Sequence, residues 1–330
     1  MPPGEDQPGA TPLSGARAAL RRFGARHRRA ITIGGSLLAA AVLAWVLAGR
    51  RDEFATALST ASLGVLLLAA LLQVVALLAR SEAWHVSINA AGGTVPRRVL
   101  YRASSMGYVG SLLNAHLGVA ARIAALRRSS PDRCPRVSTL VTAELPIMAV
   151  EAMLAAIASF TLIGPLGLPW WLPIVFLAVF ATLSTGLRRL ALRTTRELFH
   201  GLAVLRGRRD GIALVAFVLV AVFAQIARNW LLLDAVGVDA SLLDATAVLI
   251  AMSALSQLPL GPSSGAAAAL LILGTQGVGA VAAAGVLSTA TGTAGGLSFA
   301  AWAGADRLWV RRRDRRRERR RAPRRADARA

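Results

Sequence analysis

Long apolar runs separated by polar, Arg-rich segments dominate the pattern along the chain. Six of these runs are long enough to cross a hydrocarbon core about 30 Å thick. They cover residues 30–49, 62–79, 137–163, 170–187, 211–233 and 281–305. The pattern predicts an all-α polytopic membrane protein with six full spans.

Two further apolar stretches, 99–121 and 245–278, are interrupted by Gly, Pro, Asn, Ser or His. Their ends are oriented by the positive-inside rule, because Arg in short loops stays on the cytoplasmic side. The basic segments 1–29, 80–98, 122–136 and 188–209 are therefore assigned to the cytoplasm, and the loops 164–169 and 234–244 to the outside. Each broken stretch must then cross an even number of times. Neither is long enough for two full spans, so we predict two re-entrant helical hairpins, with breaks near 107–114 and 259–265.

The order span, span, hairpin, span occurs twice, with every direction reversed in the second half. Such an order indicates an inverted-topology repeat, whose broken helices meet near the bilayer midplane. The halves would be about 30–163 and 170–305. A basic cytoplasmic leader, 1–29, and a disordered Arg-rich cytoplasmic tail, 306–330, complete the expected organisation. The alternative is eight ordinary spans with no repeat.

Composition narrows the possible chemistry. The chain is 55% hydrophobic and has a formal net charge of +21, yet it contains no Lys. The absence of Lys excludes a Walker phosphate loop, a pyridoxal Schiff base and a Ser–Lys dyad. The single cysteine, Cys134, excludes an internal disulfide, and the four His lack metal-site spacing. We expect no cofactor and no metal. The use of Arg in place of Lys and the high Ala content suggest a bacterial gene, and therefore a protein of the bacterial inner membrane. The basic leader and tail place both termini in the cytoplasm.

Three segments resemble a known family. Arg80 and Trp84 with Gly92-Gly93 form the first, 107–122 (GYVGSLLNAHLGVAAR) the second, and 259–265 (PLGPSSG) the third. They are similar to the lysylphosphatidylglycerol synthase transmembrane domain, a flippase-like membrane family, over about residues 30–308.

The chain departs from that family's pattern at two acidic positions. Gly118 and Arg122 match the first motif, but Val119 stands where the family has Glu. Pro262 and Gly265 match the second, whereas Ser263 and Ser264 replace glycines and no acid follows. The soluble aminoacyl-transferase domain of the synthases is also not expected after residue 305. The resemblance thus implies the lipid-translocating half without the synthetic half.

Residues at the two breaks are candidates for binding a lipid headgroup. Arg122 could hold a phosphate through paired hydrogen bonds, or it could be an ordinary cytoplasmic Arg. His116 could add a donor, or it could pack between helices. Further hydrogen-bonding or close-approach positions in the hairpins are Asn114, Gly118, Pro262, Ser263, Ser264 and Gly265.

Charged residues inside predicted spans are the second group of candidates. Glu144 and Glu151 are seven residues apart and share one helix face within about 20°. At membrane depth they would pair with Arg122 or Arg228, either in the transport site or as structural ion pairs. Arg228 approaches the outer end of its span, where it could instead extend to the interface.

These features predict a flippase-like permease that moves an anionic phospholipid or lipid-linked amphiphile between leaflets. The alternative is a non-transporting scaffold or regulator whose Arg-rich tail binds anionic lipid or a protein partner. An integral transferase is disfavoured, so we expect no enzymatic activity. Homo-oligomerisation is possible. Nucleic-acid binding is not expected, because no aromatic residue follows Trp309 to stack on bases.

Overall fold

The computed structural model describes residues 41, 45, 49–112, 115–130, 133–193, 197–255, 264–274 and 277–327. Side chains are described for all of these except residues 115, 116, 197, 198, 264 and 311–327. This part of the chain is helical and contains no strand. Its α-helices are α1 (Arg51–Thr60), α2 (Leu63–Ala90), α3 (Arg97–Ser111), α4 (Ala115–Ser129), α5 (Val137–Thr142), α6 (Glu144–Ala158), α7 (Ile163–Leu166), α8 (Trp171–Arg193), α9 (Arg208–Ala235), α10 (Leu242–Leu255), α11 (Ser264–Leu273) and α12 (Val278–Asp327). Two 3₁₀ segments, Ser159–Leu162 and Glu197–Leu205, complete it.

Five helical segments are long and apolar enough to cross a membrane, and they coincide with five of the six predicted spans. They are Leu63–Ala90, Val137–Leu166, Trp171–Arg193, Arg208–Ala235 and Val278–Val310. The remaining predicted span, 30–49, lies outside the described residues apart from positions 41, 45 and 49, as does the leader.

Helix α2 extends further than the sequence predicted. The predicted span stopped at residue 79, whereas α2 continues through Arg80 and Trp84 to Ala90. The prediction was wrong because charged residues were assigned to a loop. In the structure both charges have partners on neighbouring helices: the half-exposed Arg80 pairs with Glu151, and the buried Glu82 pairs with Arg97.

The Arg-rich tail also differs from the prediction. Its backbone continues α12 as one helix to Asp327, where we had expected a disordered tail. Arg has a high intrinsic helix propensity, and a helix that is already formed needs no new nucleation.

Helices α2 and α9 form the centre of the fold and are closely similar. Each is 28 residues long, and they pack along each other more extensively than any other pair. Each is followed, two residues after its end, by a glycine with positive φ: Gly92 at 85° and Gly237 at 78°. The residue after each glycine donates its N–H to a carbonyl five residues earlier, at 2.9 Å for Gly93 and 3.1 Å for Val238. Both helices therefore end in the same glycine-dependent C-cap.

Two pairs of short helices occupy the broken stretches. The first pair, α3 and α4, has 15 residues in each helix, or about 22 Å, which is less than a full span. The second pair, α10 and α11, has 14 and 10 residues. The helices of each pair pack against each other, and the residues that join them, 113–114 and 256–263, lie outside the described part.

Candidate functional site

Helix α2 brings two polar clusters to the interior. Gln73, Arg80 and Trp84 are separated by seven and four residues, so they lie on one helix face within about 40°. Gln73 is 7% exposed and Trp84 is fully buried. We name the two groups by their central arginines. The Arg122 cluster contains Arg80, Trp84, Arg122, Glu144 and Glu151. The Arg228 cluster contains Gln73, Gln225, Arg228, Asn229 and Ser288.

The Arg122 cluster consists of two ion pairs beside a buried indole. Arg122 pairs with Glu144, both side chains being 13% exposed, and its guanidinium carbon lies 4.2 Å from the centre of a Trp84 ring. Arg80 donates to Glu151 over 2.7 Å, with side chains 53% and 26% exposed. The predicted partnership of Glu144 with Arg122 is confirmed, but Glu151 pairs with Arg80. Because two arginines face two glutamates, a phosphate that binds Arg122 must compete with Glu144.

The Arg228 cluster has a different balance of charge. Arg228 is 5% exposed and donates to the side-chain oxygen of Gln73 and, over 3.2 Å, to Ser288 Oγ. Gln225 donates to the same Gln73 oxygen over 2.9 Å, and Ser288 donates to Asn229 Oδ1 over 2.9 Å. No Asp or Glu forms a salt bridge with Arg228 within the described residues. The cluster therefore carries a net positive charge.

The alternative that Arg228 extends to the membrane interface is wrong. Helix α9 packs on both α2 and α12, so the face that carries Arg228 points inward. Arg228 Nε and Asn229 Nδ2 are buried and have no hydrogen-bond partner in the described structure. A cavity with room for about one water molecule lies beside Asn229 and is also lined by Ser288 and Met252. Spare donors next to a buried, uncompensated cation favour an anionic ligand.

The first helix pair is attached to α12 at a third polar contact. Arg102 Nε donates to Asp306 Oδ2 over 2.7 Å, and Arg98 lies 3.3 Å from the other carboxylate oxygen. The Asp306 side chain is only 8% exposed. This contact fixes α3 to α12 one to two turns before Tyr108.

The remaining predicted site residues have other roles or lie outside the described part. Gly118 is a packing position, since a Cβ there would lie 2.8 Å from Ser111 Cβ. Gly265 is also one, since its Cβ would lie 2.7 Å from the Gly285 carbonyl oxygen. Asn114, Pro262 and Ser263 lie outside the described residues, and only the backbone of His116 and Ser264 is described.

Several residues of the two clusters were not predicted from the sequence. Gln73 carried a usable signal, because it is the one polar side chain in the apolar run 63–79 and polar groups at membrane depth usually have a partner. Ser288 gave no such signal, since serine is common in membrane helices.

A family comparison agrees with this architecture. The family described as the lysylphosphatidylglycerol synthase TM region matches residues 32–311. The chain belongs to this family. No curated protein and no solved structure matches it. As a member of the lysylphosphatidylglycerol synthase TM region family, the protein is a multi-pass membrane protein, and the match includes every residue of both clusters.

Proposed function

We propose that this protein is a permease that moves an anionic phospholipid or lipid-linked amphiphile between the two leaflets. The observation that supports this most strongly is Arg228, a guanidinium buried at membrane depth without a carboxylate partner among the described residues. A buried cation of this kind is costly unless an anion shares its environment, so such residues usually mark substrate pathways.

The two clusters provide successive positions for a headgroup. They are joined by one face of α2, on which Gln73 and Arg80 are seven residues, or about 10 Å, apart. Arg80 is half exposed at one end of this path, and Arg228 lies about 10 Å from the opposite end of α9, at Ala235. A headgroup would meet Arg80 and Arg122 first and Arg228 second.

The inverted repeat belongs to the same proposal. Its support is the matched length and C-cap of α2 and α9, which hold equivalent places in the two halves. The short pairs α3–α4 and α10–α11 would then enter from opposite surfaces, with the N- and C-termini in the cytoplasm. Transporters of this design place their sites where the two halves meet.

Lipid exchange in vesicles tests the proposal. The purified full chain is reconstituted with fluorescent phosphatidylglycerol or phosphatidylcholine, and dithionite quenching of the outer leaflet measures exchange. We expect faster exchange of the anionic probe. Arg228→Gln should reduce that rate about ten- to hundredfold, since it removes a charge-assisted interaction of about 1.5–3 kcal/mol.

A matched control lies on the same helix. Arg209 is exposed in the first turn of α9, so Arg209→Gln should leave exchange unchanged. Arg228→Lys should retain part of the activity because it retains the charge. If neither probe exchanges faster than in protein-free vesicles, the transport proposal fails and the scaffold alternative gains support.

A further inference from the structure

Tyr108 on α3 fills a notch in the surface of α12. The notch is formed by Gly292 and Gly296, one helical turn apart. The Tyr108 hydroxyl donates to the Gly292 carbonyl oxygen over 2.9 Å, and a Cβ at Gly296 would overlap the ring. The missing side chain of Gly296 therefore allows the ring to lie on the helix, and the carbonyl oxygen of Gly292 holds its hydroxyl.

Arg228 reaches the same notch from inside the protein. A Cβ on Gly292 would lie 2.9 Å from Arg228 Nη1. The guanidinium therefore contacts α12 at Gly292, the residue whose carbonyl oxygen accepts from the Tyr108 hydroxyl. Ser288, one turn before Gly292 on the same face, donates to Asn229 and accepts from Arg228. The Arg228 guanidinium thus lies at the base of the notch. Two donors without a hydrogen-bond partner in the described structure, Arg228 Nε and Asn229 Nδ2, are nearby.

The contact between α3 and α12 is well suited to opening at Tyr108. The Arg102–Asp306 ion pair, about 9 Å earlier along α3, can act as a fixed point. Helices α3 and α4 pack closely through Gly107, Gly110 and Gly118, and Arg122 holds α4 to Glu144, so both helices can keep their places. Rotation of the Tyr108 side chain out of the notch would leave Arg228 accessible.

We propose that the Gly292–Gly296 notch is the binding site for the phosphate of an anionic lipid headgroup, whose charge no choline balances, and that Tyr108 occupies the site when no anionic lipid is bound. The inference rests on the proposed function and deepens it by naming where the anion binds. The phosphate would replace the Tyr108 hydroxyl and would accept hydrogen bonds from Arg228.

Cysteine labelling at Ser288 tests the notch without measuring transport. In the full chain with Cys134→Ser, the variant Ser288→Cys places one thiol in the notch wall, at a position only 4% exposed. In phosphatidylcholine vesicles, N-ethylmaleimide should label it slowly. Tyr108→Phe should speed labelling about fivefold through loss of one hydrogen bond, and Tyr108→Ala should speed it more.

The other tyrosine provides the matched control. Tyr101 lies two turns earlier on α3 and donates to Glu82, so Tyr101→Phe should leave Ser288→Cys labelling unchanged. If the Tyr108 and Tyr101 variants behave alike, Tyr108 does not cover the site and the inference is wrong.

Lipid composition identifies the occupant. With Tyr108→Ala present, replacing part of the phosphatidylcholine by phosphatidylglycerol should slow labelling several-fold, and adding Arg228→Gln should abolish that protection. Inorganic phosphate added to phosphatidylcholine vesicles should protect little. Equal protection by free phosphate, or none by the anionic lipid, would overturn the assignment to a lipid phosphate.

The outcomes separate this inference from the transport proposal. If Arg228→Gln stops lipid exchange but the Tyr108 variants do not change the labelling rate of Ser288→Cys, the permease proposal stands. The assignment of the notch as the phosphate site is then wrong. If labelling behaves as expected but no lipid is exchanged, the notch is a lipid-binding site in a protein that does not transport.

Discussion

The two glutamates on α6 should contribute very differently to stability, although they lie on one helix face. Glu144 pairs with Arg122 at 13% exposure of both side chains, whereas Glu151 pairs with the half-exposed Arg80. Glu144→Gln leaves a buried guanidinium without its counter-charge, which costs about 3–5 kcal/mol. Glu151→Gln breaks a pair that water can replace, which costs less than about 1 kcal/mol.

Thermal unfolding measures the difference. The unfolding entropy of about 2.1 cal/mol/K per residue, applied to 330 residues, converts 3–5 kcal/mol into a Tm lowered by about 4–7 °C. The same conversion gives less than about 1.5 °C for Glu151→Gln. The purified protein in detergent would be heated at one scan rate and followed by tryptophan fluorescence, to which Trp84 under Arg122 contributes directly.

A double variant completes the test. Arg122→Leu with Glu144→Leu removes both buried charges, and it should recover most of the stability that Glu144→Gln loses, because an apolar pair needs no desolvation. The reasoning is refuted if Glu151→Gln lowers the Tm as much as Glu144→Gln does. It is also refuted if the double variant is no more stable than the single one.

Four further outcomes are expected. Gly296→Ala should lower the Tm and the yield because its Cβ would overlap Tyr108, whereas Gly304→Ala, with nothing within 4 Å, should have no effect; equal effects would contradict the close packing. Asp306→Asn should raise protease sensitivity in α3, because it weakens the ion pair with Arg102, and unchanged cleavage would argue against that anchor. An impermeant maleimide should label Cys134 in inverted vesicles but not in intact cells, and the reverse would invert the topology. Burial raises the pKa of the Cys134 thiol above that of a free thiol, so its labelling should still accelerate with pH where a free thiol is already fully ionised.

Much of the fold could be predicted from the sequence, because a bilayer restricts which secondary structures can cross it. Apolar runs of spanning length must form helices, since hydrocarbon offers no partner for a free backbone group. Five of the predicted spans accordingly coincide with helices that are long and apolar enough to cross a membrane. The predicted end of the second span, at Ala79, does not coincide with the end of α2, which continues to Ala90. Hydropathy does not reveal that Arg80 and Glu82 will find partners across the helix interface.

By itself the sequence determined the helical membrane class, most span positions, and a pool of charged residues at membrane depth. Only the tertiary structure decided which charge is balanced. Glu144 and Glu151 were both candidates to neutralise Arg228. In the packed structure Glu144 pairs with Arg122 and Glu151 pairs with Arg80 instead. The physical reason is that helix periodicity fixes which residues share a face, whereas partners depend on how separate helices pack. That packing placed Arg228 among neutral amides and hydroxyls and left its charge without a carboxylate among the described residues.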